Sequence, residues 1–522
     1  MPSVLPNPLI PGFNPDPSCV RVDDAYYLVT SSFEYLPGLP IYRSEDFSTW
    51  QHIGNVLDRV AQSGIADSVS GMGAWAPTIR YRDGTFYVIV AMGMSARGCV
   101  VFAADDPAGP WSDGVDIPAV DGIDPDLAWD EDGNAYVTYS AYRMRGDQPG
   151  RHDGIEQVRV DLATGQALEE PRSLWSGTGL QFPEAPHLYR RGEYWYLLIA
   201  EGGTERGHAA SIARGPSIEG PFTSGPANPI LRATGTSRPV QNTGHADLIE
   251  GPDGTDLIVA LGVRPLGTGL SFSPLGRETF ATTVEWVDGW PLVAPVDLAG
   301  RAEDFTEAFA LGDPTDLADP GWLAVGRLPA DVAAIEDGTL VLTGIGAGLD
   351  AARPIFIGRR QRHIDSETAI LVRPCDGAGG LGLRYDERFH LTATARRGAE
   401  GHLVVTATAA LPGIRQSTSH TVVGDDVELR LTTRRPHRLM PNDGAGGDLI
   451  TLEATGADGA TIVLAEWDGR FWSAETAASF TGRVVGPFAE SGSVRFLDFA
   501  YRGNDAVAPA PSTRPIRETT HR

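Results

Sequence analysis

Five short segments, far apart in the first half of the chain, each carry a residue able to do chemistry. They are Pro15-Asp16-Pro17-Ser18, Trp75-Ala76-Pro77-Thr78, Ile123-Asp124-Pro125-Asp126, Glu184-Ala185-Pro186-His187 and Gly244-His245-Ala246-Asp247. Read as equivalent positions, they offer Asp16, Trp75, Asp124, Glu184 and His245. Two carboxylates on opposite sides of a sugar are the minimum for breaking a glycosidic bond. One is kept protonated to give its proton to the leaving oxygen, and the other is kept ionised to activate water or to attack. A third carboxylate nearby raises the pKa of the acid, because it disfavours the charged form.

The elements that must position these groups announce themselves seven to nine residues downstream. Each segment runs into an apolar strand, an Asp-Gly-like turn and a second apolar strand: Val22-Asp23-Asp24-Ala25, Arg82-Asp83-Gly84-Thr85, Glu131-Asp132-Gly133-Asn134, Arg191-Gly192-Glu193-Tyr194 and Pro252-Asp253-Gly254-Thr255. Such turns signal type I′ hairpins, which need positive φ at both central residues. Five of them at a period of roughly 50 to 60 residues predict a five-bladed β-propeller, whose innermost strands line a shared axis. Asp16 on blade one and Glu184 on blade four then face each other across that axis. A separation of roughly 6.5–9.5 Å, which leaves room for a water and gives inversion, is the expectation.

Composition agrees with an all-β chain: 62 Gly and 39 Pro among 522 residues, without a period of three, suit many short strands joined by turns. The formal charge is −26, from 68 acidic and 42 basic residues. Nucleic acid and anionic membrane surfaces are repelled by such a surface, and a neutral substrate fits better. Three scattered cysteines, Cys19, Cys99 and Cys375, make neither a disulfide framework nor a thiolate metal site. With no basic-then-apolar leader at the N-terminus, the expectation is a cytoplasmic protein. A homo-oligomer is compatible with this reading.

The propeller is expected over residues 1–291 and a linker over 292–304. From 305 to 502 alternating strands such as Thr339–Thr343, Glu367–Val372, His402–Thr406, Val427–Leu431 and Val494–Tyr501 predict a β-sandwich of jelly-roll, concanavalin-like type. The Pro-rich tail 503–522 is expected to be disordered.

The stretches Asn7 to Ser18, Ser32-Phe33-Glu34-Tyr35-Leu36-Pro37-Gly38, Ala74-Trp75-Ala76-Pro77, Glu184 to Tyr189, Ala200-Glu201-Gly202-Gly203-Thr204, Gly244 to Leu248 and Leu275 to Thr279 resemble glycoside hydrolase family 43, in its branch of β-xylosidases and α-L-arabinofuranosidases with a C-terminal lectin-like sandwich. The resemblance implies an inverting exo-glycosidase that removes terminal β-D-xylosyl or α-L-arabinofuranosyl residues from xylo- or arabinoxylo-oligosaccharides. It makes Asp16 the general base, Glu184 the general acid and Asp124 the group that tunes and orients that acid. It makes Phe33 and Trp75 walls of the terminal sugar site, Arg277 a ligand of substrate hydroxyls, and His245 a channel residue bonded to water or near a bound calcium. No cofactor is otherwise implied. Asp126 departs from the family, which often has Ser there, and on a strand it shares a face with Asp124. The alternatives are an enzyme that takes arabinofuranosides only, and a carbohydrate-binding protein without catalysis. A retaining fructan enzyme fits poorly, because its usual Asn-Asp-Pro-Asn-Gly context is not matched by Asn14-Pro15-Asp16-Pro17-Ser18.

Overall fold

The computed structural model describes residues 5–505 apart from positions 67, 94, 96, 146, 268, 300–303, 400 and 437–445. Five antiparallel sheets succeed one another along the chain as the blades of a propeller. Their innermost strands are Ser18–Val22, Gly73–Arg82, Ile123–Trp129, Glu184–Arg191 and Gln241–Glu250. The outermost strand of blade five, Trp290–Val293, ends this region. Second strands such as Thr85–Gly93 and Tyr194–Glu201 are continuous apolar runs, buried almost throughout, because a neighbouring blade covers each face.

The hairpins fall where the repeat places them, but their turns differ. Of the five repeated turns, Asp83-Gly84 alone joins its strands by two residues of positive φ, +51° and +89°. Blades three and five use five-residue connections, Trp129 pairing with Ala135 and Glu250 with Asp256. In blade three the Asp130 carboxylate accepts from the Asn134 backbone N–H at 2.8 Å, so a side chain does the work of a turn hydrogen bond.

The ring closes without a covalent bond. The Asn7 amide donates to the Ala281 carbonyl (2.8 Å) and accepts from the Ala281 N–H (2.9 Å), standing in for a strand neighbour, and Ile10 bridges Thr279 of the same blade.

The C-terminal region is a β-sandwich organised around one long strand, Val484–Asn504, which pairs with Phe305–Phe309, Thr339–Ile345, Asp365–Pro374 and Ala378–Arg384 among others. Asp365–Pro374 alternates perfectly between half-buried and buried positions, as one face of a sandwich sheet demands. Its core holds Trp322, Ile370, Leu381, Leu429, Phe496 and Phe499. Gly503 and Asn504, assigned above to the tail, continue the long strand, and Asp505 is buried in an ion pair with Arg264 of the propeller. The rest of the expected tail lies outside the described residues. The two regions share a small sheet, Ala324–Val325 against Tyr35–Leu36, and the buried Arg384 donates to the Tyr35 hydroxyl (3.1 Å) and Ser70 Oγ (3.0 Å). Among the described residues no helix is long and apolar enough to cross a membrane.

Candidate active site

A left-handed residue sits at the entry of every innermost strand. Its φ is +58° at Asp16, +42° at Ala76, +52° at Asp124, +49° at Ala185 and +47° at His245. In blades two to five the strand register slips beside it. A bulge of this kind re-aims the neighbouring side chains, and strained backbone of this type gathers at functional sites. The five residues read above as equivalent therefore fall into two registers. Asp16, Asp124 and His245 occupy the left-handed position itself. Trp75 and Glu184 stand one residue earlier, and Ala occupies the strained position in their blades, where a small side chain limits the cost.

Despite this offset, Asp16, Phe33, Trp75, Asp124, Glu184, His245 and Arg277 all line one cavity of about 280 Å³. At about 30 Å³ per liquid water, that is room for a single small sugar with some solvent, not for a polymer. Thr204, Tyr142, His152, Phe182 and Phe480 are also part of the lining. Thr204 closes the Ala200–Thr204 motif already quoted, whereas nothing in the sequence pointed to Phe480, which the sandwich contributes. Its ring lies 6.2 Å from Phe33 in a stacked arrangement and 6.3 Å edge-on from Trp75. The Phe33 backbone is held by reciprocal hydrogen bonds with Ala74 at 3.1 Å, and the Trp75 indole donates to the Gly71 carbonyl at 3.0 Å.

Asp16 is gripped as an anion. It accepts from Ser31 Oγ at 2.6 Å and from Arg277 Nη1 at 3.0 Å. Burial alone would raise its pKa, but Arg277 and the Ser31 hydroxyl together hold it below the usual carboxylate range. Arg277 also donates to Thr204 Oγ1 (3.0 Å) and to the Phe480 carbonyl (3.2 Å), which ties the sandwich to the pocket. Glu184 is treated in the opposite way. Burial, then the negative charges of Asp124 and Asp16, push its carboxyl well above the ordinary range. Asp124 is itself pushed up to about 7, by burial and by Asp16, and accepts from the Ala185 N–H at 3.2 Å, one residue from the group it acts on. The pocket thus holds an ionised carboxylate and a protonated carboxyl, the pair that acid–base hydrolysis requires.

Asp126 does not compete with Asp124. Beyond the bulge it faces the channel floor, where it takes Arg80 Nη2 at 2.6 Å and the Leu188 N–H at 2.9 Å. Arg80 also donates to Ser18 Oγ (3.4 Å), to Asp247 (3.3 Å) and to His187 Nδ1 (3.0 Å), so one guanidinium pins side chains from the other four blades.

The calcium expectation at His245 meets the wrong donors. A calcium ion takes six to eight oxygens. Around His245 stand instead His187, His208 and Arg277, with Asp16 as the carboxylate, its Oδ1 3.6 Å from Nδ1. Burial drives the His245 pKa down to about 3, so this contact is not an ion pair. Among the described residues no group of three or more His, Cys, Asp or Glu side chains is placed to hold a metal ion.

Comparison with known proteins agrees with this geometry. Residues 5–291 match the family described as Glycosyl hydrolases family 43, and residues 318–502 match the Beta xylosidase C-terminal Concanavalin A-like domain. The chain is 41% identical over 420 residues, 75% of its length and 76% of the relative's, to the non-reducing end alpha-L-arabinofuranosidase BoGH43B of Bacteroides ovatus. It is 33% identical to xylosidase/arabinosidase 43B of Humicola insolens over 93% of this chain and 94% of the other. A solved xylan beta-1,4-xylosidase from Bacillus halodurans superposes with a TM-score of 0.84 at 28% identity, covering 95% of this chain and all of that one. The blades, the sandwich and the carboxylate pocket thus have one explanation: the chain belongs to glycosyl hydrolase family 43 and is a glycoside hydrolase.

Proposed function

We propose that the chain is an inverting exo-glycosidase that removes terminal β-D-xylosyl and α-L-arabinofuranosyl residues from short xylan or arabinoxylan fragments. The observation that carries this reading is the pocket in which Asp16 is held ionised while Glu184 is held protonated. In the proposed cycle the terminal pentose rests against the wall formed by Phe33, Trp75 and Phe480. Asp16 takes a proton from a water, whose oxygen attacks the anomeric carbon as Glu184 gives its proton to the departing oxygen. Asp124 keeps Glu184 protonated until that moment. Arg277 serves twice, as the partner that keeps Asp16 ionised and as a donor to sugar hydroxyls. The size of the cavity and the wall that Phe480 adds to it favour cleavage of one sugar from a chain end. The relatives' names support both sugars, and the xyloside is ranked first.

Release of nitrophenol from nitrophenyl β-D-xyloside and α-L-arabinofuranoside tests this reading. Both should turn over, and proton NMR should show the first product with inverted configuration. A Glu184→Gln variant should lose 10²–10⁴-fold in kcat on xylobiose and clearly less on the nitrophenyl glycosides, whose leaving group needs little protonation. Oligosaccharide binding without turnover of either glycoside would instead support a binding protein. We further propose a reducing, cytoplasmic setting, which the free thiols of Cys19, Cys99 and Cys375 support; cell fractionation tests it.

A further inference from the structure

A second cavity, of about 320 Å³, lies between the propeller and the sandwich, away from the carboxylate pocket. Its charged lining is unbalanced. Arg359 is matched by Asp319 (2.7 Å) and Glu307 (3.3 Å), and Arg362 by Glu307 (3.0 Å). Among the described residues Arg360 has no carboxylate partner. It is 7% exposed, its Nε and Nη2 are buried without a hydrogen-bond partner, and its guanidinium rests over the Phe13 ring at 4.7 Å. The groups that act on it electrostatically are the Tyr42 and Tyr35 hydroxyls and the guanidiniums of Arg359 and Arg362. His52, also in the lining, is held neutral, its pKa driven down to about 3 by burial and by Arg360. Three guanidiniums against two carboxylates leave the cavity with one uncompensated positive charge, inside a chain whose formal charge is −26.

A guanidinium cannot shed its proton at any pH the fold survives, and a buried charge without a partner is strongly unfavourable. Among the described residues no carboxylate is paired with Arg360, and none stands among the strongest charges acting on it. The missing charge is single, and the cavity is far larger than a monatomic ion requires. We propose that this interdomain cavity is a binding site for a small carboxylate monoanion, held by Arg360. A guanidinium is a permanently charged donor, and a carboxylate oxygen answers it with a charge-assisted hydrogen bond. The ligand is a simple organic acid or a sugar acid, and the two are separable by experiment. Phe13, under Arg360, packs 6.2 Å from Phe33 of the catalytic pocket, so the occupied site abuts the wall of the sugar subsite.

The test uses the full-length protein in a buffer whose only anion is a bulky sulfonate, at constant ionic strength. Sodium acetate, sodium glucuronate and sodium chloride are titrated separately while the melting temperature is followed. Acetate or glucuronate should raise Tm saturably, by on the order of 1–2 °C at ten times the dissociation constant. If acetate alone acts, the ligand is a simple acid; if glucuronate acts at lower concentration, it is a sugar acid. Arg360→Met should abolish the saturable shift and melt no lower than wild type in the sulfonate buffer, because it removes an unpaired buried charge. Calorimetric titration of acetate and glucuronate into wild type gives an answer even where the variant fails to fold. No saturable response, a response to chloride alone, or an equal response in Arg360→Met overturns the assignment.

Discussion

Asp124 is where protonation, catalysis and stability meet in a single side chain. Removing its charge lowers the pKa of Glu184, because a negative neighbour no longer disfavours the ionised form. In Asp124→Asn the alkaline limb of the kcat/KM profile should therefore move to lower pH, while the acid limb, set by Asp16, moves little. The stability effect has the opposite sense. A buried acid with a raised folded-state pKa adds stability below its unfolded value and loses it as pH rises through the folded value. For Asp124, raised to about 7 from an ordinary 3.8, that loss is well under way at pH 7–8. Asp124→Asn should thus be less active yet more stable than wild type at pH 8, by roughly 1–3 kcal/mol, and no more stable at pH 4. Urea melts at the two pH values check this; equal stability gains at both would contradict the charge argument. The three acids themselves were legible in the sequence, because each recurs before the same kind of hairpin. Their division of labour was not, since it depends on which charges burial brings together.

The left-handed residue at the entry of each innermost strand, bulged in blades two to five, is the element that aims the site. Ala185 has φ +49° and its N–H holds Asp124, while the residue before it is Glu184. A β-branched side chain is poorly tolerated there, so Ala185→Val should cost roughly 1–3 kcal/mol and misplace both acids. Ala185→Gly should be nearly neutral in stability and retain activity, since relief of strain offsets added freedom of the unfolded chain. Thermal melts and kcat for the two variants separate the cases, and a fully active Ala185→Val would show that the bulge does not position the acids. Sequence periodicity found the five blades because hairpin turns and apolar runs recur within each. It missed the one-residue offset between Asp16 and Glu184, because a bulge leaves alternation intact on either side and shows itself only in φ and in the strand register.

At the scale of the molecule, the interface between propeller and sandwich is built on buried charge. Arg384 is fully buried, lies 3.6 Å from the Glu34 carboxylate and donates to Tyr35 and Ser70. Burial drives the Glu34 pKa up and Arg384 opposes it. Arg384→Met should destabilise the protein by roughly 3–5 kcal/mol at pH 8, by leaving Glu34 unpaired, and less at pH 5, where Glu34 takes up a proton more readily. Adding Glu34→Gln should recover most of the loss; a double variant as unstable as the single one would locate the cost elsewhere. None of this could be read from spacing, since Arg384 and Glu34 are 350 residues apart in a chain whose second half shares no repeat with the first.

The same union sets the order in which the protein becomes functional during synthesis. All three acids leave the ribosome with the propeller, yet Phe480 and the carbonyl that holds Arg277 follow some 190 residues after Pro291. At roughly 5–20 residues per second, that is a delay of about 10–40 s. A nascent chain can therefore close its five-bladed ring while its sugar site still lacks a wall. Full activity on the terminal sugar then reports that the segment carrying Phe480 has been laid in place.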